Sequence, residues 1–120
     1  MYKIALICEH GASTGICVRK MIEASSKLGI ESDIASYSSA KLDFIIDKMD
    51  FILLGPQLSF KIGQFKDLFP QYSAKIKVIN SADFGGMDGE KILKDTIARI
   101  ESSRENAKKT IDEKGGDLIV

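Results

Sequence analysis

The sequence holds no tryptophan, one histidine, two prolines and two cysteines. The cysteines, Cys8 and Cys17, fit neither a zinc spacing nor a CxxC pair, and a lone histidine adds too few ligands. No metal site is therefore expected, no cofactor is called for, and a structural disulfide is not indicated. Net charge is also missing, since 17 lysines and arginines balance 17 aspartates and glutamates. A balanced chain without a basic stripe interleaved with aromatics lacks the field that nucleic-acid binding draws on. No apolar run approaches the roughly 18–20 residues that span a bilayer. The short apolar start reaches an acid at Glu9 without a small-residue cleavage pattern, so it reads as a first strand rather than a signal peptide. The expected compartment is the cytoplasm, where thiols stay reduced.

What is present suits one domain: 120 residues, 44% of them hydrophobic. Residues 3–8 are almost wholly apolar and predict a buried strand ending in a Gly/Ser/Thr-rich loop. Cys17, Met21, Ala24 and Leu28, widened by Val18 and Ile22, recur at helical spacing, with Arg19, Lys20, Glu23 and Lys27 on the other face. Gly29 follows as a C-terminal cap. Residues 31–36 alternate weakly and carry Glu31 and Asp33, as an exposed edge strand does. Leu42, Ile45, Ile46 and Met49 predict a short helix, and Phe51 to Leu54 a second fully apolar strand stopped by Gly55-Pro56. Leu58, Ile62, Phe65 and Phe69 form another helical stripe, and Ile76 to Ile79 a fourth strand with Lys77 exposed. A last helix starts near Asp88 and carries Leu93, Ile97, Ile100, Ala107 and Ile111; from about Glu113 the polar, glycine-containing tail is expected to fray.

Alternating strands and helices predict an α/β fold: a single three-layer domain, a four-stranded parallel sheet with helices on both faces. Strands buried on both faces read as continuous apolar runs, so the first and third are central and the charged second and fourth are edges. With right-handed crossovers the order is 2-1-3-4. The crevice of such a sheet lies where strand order reverses, at the carboxyl ends of strands one and three. Two loops meet there, Cys8 to Gly15 and Gly55-Pro56-Gln57.

The first loop reads Cys8-Glu9-His10-Gly11-Ala12-Ser13-Thr14-Gly15. Successive backbone N–H groups between a strand and a helix can converge on one anion, aided by the helix dipole. Gly11 and Gly15 permit close approach, and Ser13 and Thr14 add hydroxyls and are good N-caps. A field that holds phosphate also favours a thiolate over a thiol, which makes Cys8 the candidate nucleophile against phosphorus. Cys17, on the buried stripe, reads as a packing residue. His10 fits a phosphate donor and a solvated loop residue equally and is given no catalytic role. Glu9 places a carboxylate beside the thiol; at about 4 Å and an effective dielectric near 20 the repulsion would reach about 4 kcal/mol, so its side chain is expected to point outward.

Cys8-x-x-Gly11-x-Ser13-Thr14 after the first strand resembles the IIB component of the lactose/cellobiose (N,N'-diacetylchitobiose) class of the bacterial phosphoenolpyruvate-dependent sugar phosphotransferase system (PTS). The resemblance continues at Leu53-Leu54-Gly55-Pro56-Gln57 and from Asp83 to Leu93, through Gly85, Asp88 and Gly89, and spans about residues 3–108. It implies a PTS IIB-like domain over 1–108, with 109–120 as the end of the last helix and a polar tail. It implies a phosphotransferase with a phosphocysteine at Cys8 and a phosphate loop over residues 9–15. The phosphoryl group would come from a phosphohistidine on the IIA component and leave to a sugar held by the membrane-embedded IIC component. Cellobiose or a related β-linked disaccharide is the expected sugar. The protein would then be peripheral to the membrane through IIC. Family members often have serine where this chain has Gly15.

Two other readings compete. Cysteine phosphatases place an arginine six residues after the cysteine, where this chain has Thr14; without that guanidinium fork hydrolysis is poorly supported. A flavodoxin-like binding or regulatory module is the second, but the chain lacks a Gly-x-Gly-x-x-Gly or Walker pattern, and Tyr37 and Tyr72 are poorly placed to stack a flavin. A carrier must also dock two partners in turn, through a small transient interface to which Phe60 and Lys61 are candidate contributors.

Overall fold

The computed structural model describes residues 1–9 and 12–119, with the side chains of 12–13 and of 106–119 excluded. Four parallel strands form one sheet: β1 (Tyr2–Ile7), β2 (Ser32–Tyr37), β3 (Phe51–Leu54) and β4 (Ile76–Val78), in the order β2-β1-β3-β4. This is the predicted order. β1 pairs with β2 from Tyr2↔Ser32 to Ile7↔Tyr37 and with β3 from Ile4↔Phe51 to Ile7↔Leu54, while β3 pairs with β4 from Ile52↔Ile76 to Leu54↔Val78.

Side chains alternate across a strand, so β1 feeds two cores. Ile4 and Leu6 pack with Phe51 and Leu53 against α1 (Ala12–Lys27) and the long α5 (Gly89–Ile119), through Cys17, Met21, Leu93 and Ile100. Ala5 and Ile7 pack with Ile52, Leu54 and Ile76 against α2 (Leu42–Ile45) and α3 (Ile62–Leu68), through Leu42, Ile46 and Phe65. Each fully buried aliphatic side chain contributes about 1.5–3 kcal/mol, and β1 is buried from Ile4 to Ile7. Ile22 and Leu28, assigned to the buried stripe of α1, are exposed instead. Leu28 follows the last helical residue, and Ile22 lies at the margin of the face that α5 covers.

α1 ends as its sequence indicates. Gly29 has φ +68, its N–H donates to Ser26 O, and the Ile30 N–H donates to Ser25 O, a Schellman closure. Short elements without a period escape the sequence reading: 3₁₀ turns over Ser39–Lys41 and Pro70–Lys75, and α4 (Ser81–Gly85); the stripe from Leu58 to Phe69 divides into a 3₁₀ turn over Pro56–Lys61 and α3. Asn80 caps α4 by accepting from the Ala82 and Asp83 N–H groups, and Asp88 caps α5 by accepting from the Lys91 N–H. Between them Met87 adopts φ 50, a left-handed conformation unusual for methionine. α5 is continuous from Gly89 to Ile119 and so includes Glu113, where the sequence reading starts the polar tail. At the amino end of the sheet, the Tyr2 hydroxyl donates to Glu101 and Arg104 pairs with Asp50, tying α5 to β1 and to the residue before β3.

The crossing of α1 and α5 is set by a glycine. A Cβ on Gly89 would lie 2.3 Å from the Lys20 carbonyl carbon and 2.6 Å from the Met21 N, both backbone atoms that do not yield. Gly63, in α3, has nothing within 4 Å of its Cβ position. Gly89→Ala is expected to destabilise by about 1–3 kcal/mol or more, whereas Gly63→Ala is expected to stabilise by about 0.4–1 kcal/mol. Thermal or denaturant unfolding of the two variants measures both signs.

Candidate functional site

β1 and β3 end in register, so the chain segments that follow them emerge side by side at the carboxyl rim. The Cys8 N–H donates to Tyr37 O (3.1 Å) and the Gly55 N–H donates to Ile7 O (3.2 Å), extending both strand pairings one residue past the strands. These bonds fix the backbone of Cys8 next to that of Gly55. Cys8 is 6% exposed, at the boundary between core and rim. Gly55 leads into the turn at Pro56, closed by the Leu58 N–H on Gly55 O (2.9 Å). The Gln57 side chain folds back over Gly55, since a Cβ there would meet Gln57 Oε1 at 2.8 Å.

The connection from Cys8 to helix is shorter than the sequence reading has it. α1 begins at Ala12, so Ala12, Ser13, Thr14 and Gly15 form its first turn rather than a loop. Ser13 and Thr14 are thus inside the helix and not its N-caps, a correction to the expected capping. The first four N–H groups of a helix have no partner within it and carry the positive end of the dipole. All four belong to residues expected to bind phosphate. His10 and Gly11, also assigned to the phosphate loop, lie outside the described residues.

Thr14 is fully buried, and among the described residues its Oγ1 has no hydrogen-bond partner. A buried hydroxyl without a partner costs about 1–3 kcal/mol. Gly15 has nothing within 4 Å of its Cβ position, so a serine would fit there and its absence is not forced by packing. Glu9 is exposed and its carboxylate accepts from the Ser39 hydroxyl, on the turn after β2. This is the outward placement expected for it. The bond between Glu9 and Ser39 joins residues thirty positions apart, and no local pattern announces it.

Cys17 is fully buried on the α1 face, and burial pushes its thiol up to about 11. At neutral pH it is a protonated packing group, in keeping with its sequence reading. Phe60 is 77% exposed, with the Lys61 ammonium 5.8 Å from its ring centroid. Among the described residues no group of three His, Cys, Asp or Glu side chains is placed to hold a metal ion, and no helix is long and apolar enough to cross a membrane.

The fold and this rim define a parallel α/β domain with a cysteine between its central strand and a helix N-terminus. Residues 3–95 match the family model for the lactose/cellobiose-specific IIB subunit of the PTS. Over 98 residues the chain is 33% identical to the oligo-beta-mannoside-specific EIIB component of Bacillus subtilis (strain 168), covering 82% of this chain and 95% of that one. Over 95 residues it is 35% identical to the cellobiose-specific EIIB component of Lactococcus lactis subsp. lactis (strain IL1403), covering 75% and 88%. The solution structure of the cellobiose-specific IIB component from Borrelia burgdorferi superposes with a TM-score of 0.72 at 28% identity, covering 84% of this chain and 93% of that one. The chain belongs to the lactose/cellobiose-specific IIB family of the PTS. It is a phosphotransferase component, and that role implies IIA and IIC partners in general terms.

Thr14→Val removes the hydroxyl that has no partner among the described residues while keeping the shape. The unliganded variant is expected to be as stable as the wild type or up to about 1 kcal/mol more stable. A clear loss of stability on thermal denaturation would show that the hydroxyl already has a partner.

Proposed function

We propose that Cys8 is the residue phosphorylated in this IIB component, with the phosphate held by residues 9–15 and bordered by Gly55, Pro56 and Gln57. The observation that carries the reading is the position of Cys8. It follows the carboxyl end of the central strand, four residues before α1 begins at Ala12. The Cys8 thiolate attacks the phosphorus of a phosphohistidine on the IIA partner. The S–P bond forms as the P–N bond breaks, and the imidazole leaves with the electron pair. In the second step a sugar hydroxyl held by IIC attacks the same phosphorus. An O–P bond forms, the S–P bond breaks, the hydroxyl proton passes to a base, and the thiolate is restored.

In both steps negative charge spreads over the phosphoryl oxygens. Preorganised N–H donors stabilise that charge without reorganising. The Thr14 hydroxyl has no hydrogen-bond partner among the described residues, and the reading gives it a use. The sugar is proposed to be cellobiose or a related β-linked disaccharide. One similar protein is named for oligo-beta-mannosides and two for cellobiose, which supports that range, while a fourth, 35% identical over 95 residues, is named for galactose. Working between IIA and a membrane-embedded IIC, the protein would be cytoplasmic and peripheral to the membrane. The working unit would be residues 1–108, with 109–120 an appendage.

The test is intact mass after incubation with phosphoenolpyruvate, the general phosphotransfer proteins and a cognate IIA. The wild type is expected to gain one phosphoryl group and Cys8→Ser none. An equal gain in Cys8→Ser, or none in the wild type beside a demonstrably phosphorylated IIA, contradicts the assignment.

A further inference from the structure

On β4, side chains alternate between the two cores. Ile76 and Val78 pack on the α2/α3 side, which leaves Lys77, paired in register with Leu53, facing the α5 side. A strand position that faces a helix layer ordinarily carries an apolar residue. Here a half-buried lysine stands at the wall of a cleft of about 240 Å³ between the end of β4, α4 and α5. The cleft does not include Cys8.

The charges in this cleft are unevenly matched. Its two carboxylates are both engaged by one lysine: Lys91 contacts Asp83 at 2.8 Å and Asp95 at 3.1 Å. Lys77 and Arg99 also line the cleft, and among the described residues neither has a carboxylate within ion-pair distance. Burial, then the nearby charges of Arg99 and Lys66, hold the Lys77 ammonium below its ordinary range. A lysine that only shielded the open edge of β4 would be expected to stand in solvent, away from other cations. The Asn80 Oδ1 is occupied in capping α4, which leaves its amide nitrogen free to donate at the same wall.

We infer that this cleft is a second anion site, in which Lys77 and Arg99 bind a phosphate-sized dianion such as the phosphoryl end of a small metabolite. Two converging cations, one of them a guanidinium fork, favour a doubly charged tetrahedral group over a monocarboxylate. The apolar floor of Leu53, Ile79 and Ile92 seats an uncharged portion of the ligand. The site lies at the same carboxyl rim as Cys8 but on the far strand, so the two can be filled independently.

The test is an amide-resolved NMR titration of the whole protein with inorganic phosphate at constant ionic strength, with sodium chloride and acetate as parallel arms. Saturable shifts are expected at Lys77, Ile79, Asn80 and Arg99, about tenfold or more weaker in affinity for Lys77→Gln and for Arg99→Gln. Shifts at Ala12 to Gly15 report the Cys8 site separately and are expected to be unchanged in both variants. Arg99 is exposed, so its variant carries the test even if Lys77→Gln lowers stability. The proposal is overturned by phosphate shifts confined to Ala12 to Gly15, by chloride reproducing the β4 shifts, or by acetate binding as tightly as phosphate.

Discussion

β1 is hydrogen-bonded along both edges and covered on both faces, so nothing on it between Ile4 and Ile7 reaches solvent. Its first residue able to meet another molecule is the one that follows, Cys8. The Cys8 N–H on Tyr37 O and the Gly55 N–H on Ile7 O carry the pairing one step further, where β2 and β3 fix the height of the rim on either side. Everything the site needs depends on that double pairing. The backbone of Cys8 is held beside that of Gly55, and α1 begins four residues further on. Loss of register by one residue would turn Cys8 to the other face and disconnect it from α1.

The same sheet gives the two thiols different surroundings. Cys17 is on the face that α1 buries, and desolvation keeps it protonated well above neutral pH. Cys8 stands at the rim, 6% exposed, between the end of β1 and the start of α1. Its acidic neighbour Glu9 is exposed and accepts from the Ser39 hydroxyl.

Much of this was legible beforehand, for a physical reason. Strands covered on both faces read as unbroken apolar runs, so β1 and β3 declared themselves central and β2 and β4 edges. The cysteine at the end of β1 followed from topology, and Gly29 from the left-handed turn that only glycine adopts easily. What escaped was set by contacts distant in sequence or by elements too short to show a period. The turns at Ser39 and Pro70 and the five residues of α4 repeat nothing. The left-handed turn before α5 falls on Met87, where no glycine signals it. Lys77 read as an exposed edge charge because its burial comes from α5, far along the chain. Ser13 and Thr14 have the residue types of caps, but α1 begins before them, at Ala12. The close approach that requires Gly89 is made by the backbone of α1, which no local pattern contains.

The central claim is that phosphate resides on sulfur in a IIB component that hands it on. The most direct measurement is ³¹P NMR of the protein phosphorylated by its IIA partner and freed of it. The account expects one resonance in the thiophosphate-ester range that persists until a sugar acceptor system is added. A phosphoramidate resonance from His10, or release as inorganic phosphate before any acceptor is present, would contradict it.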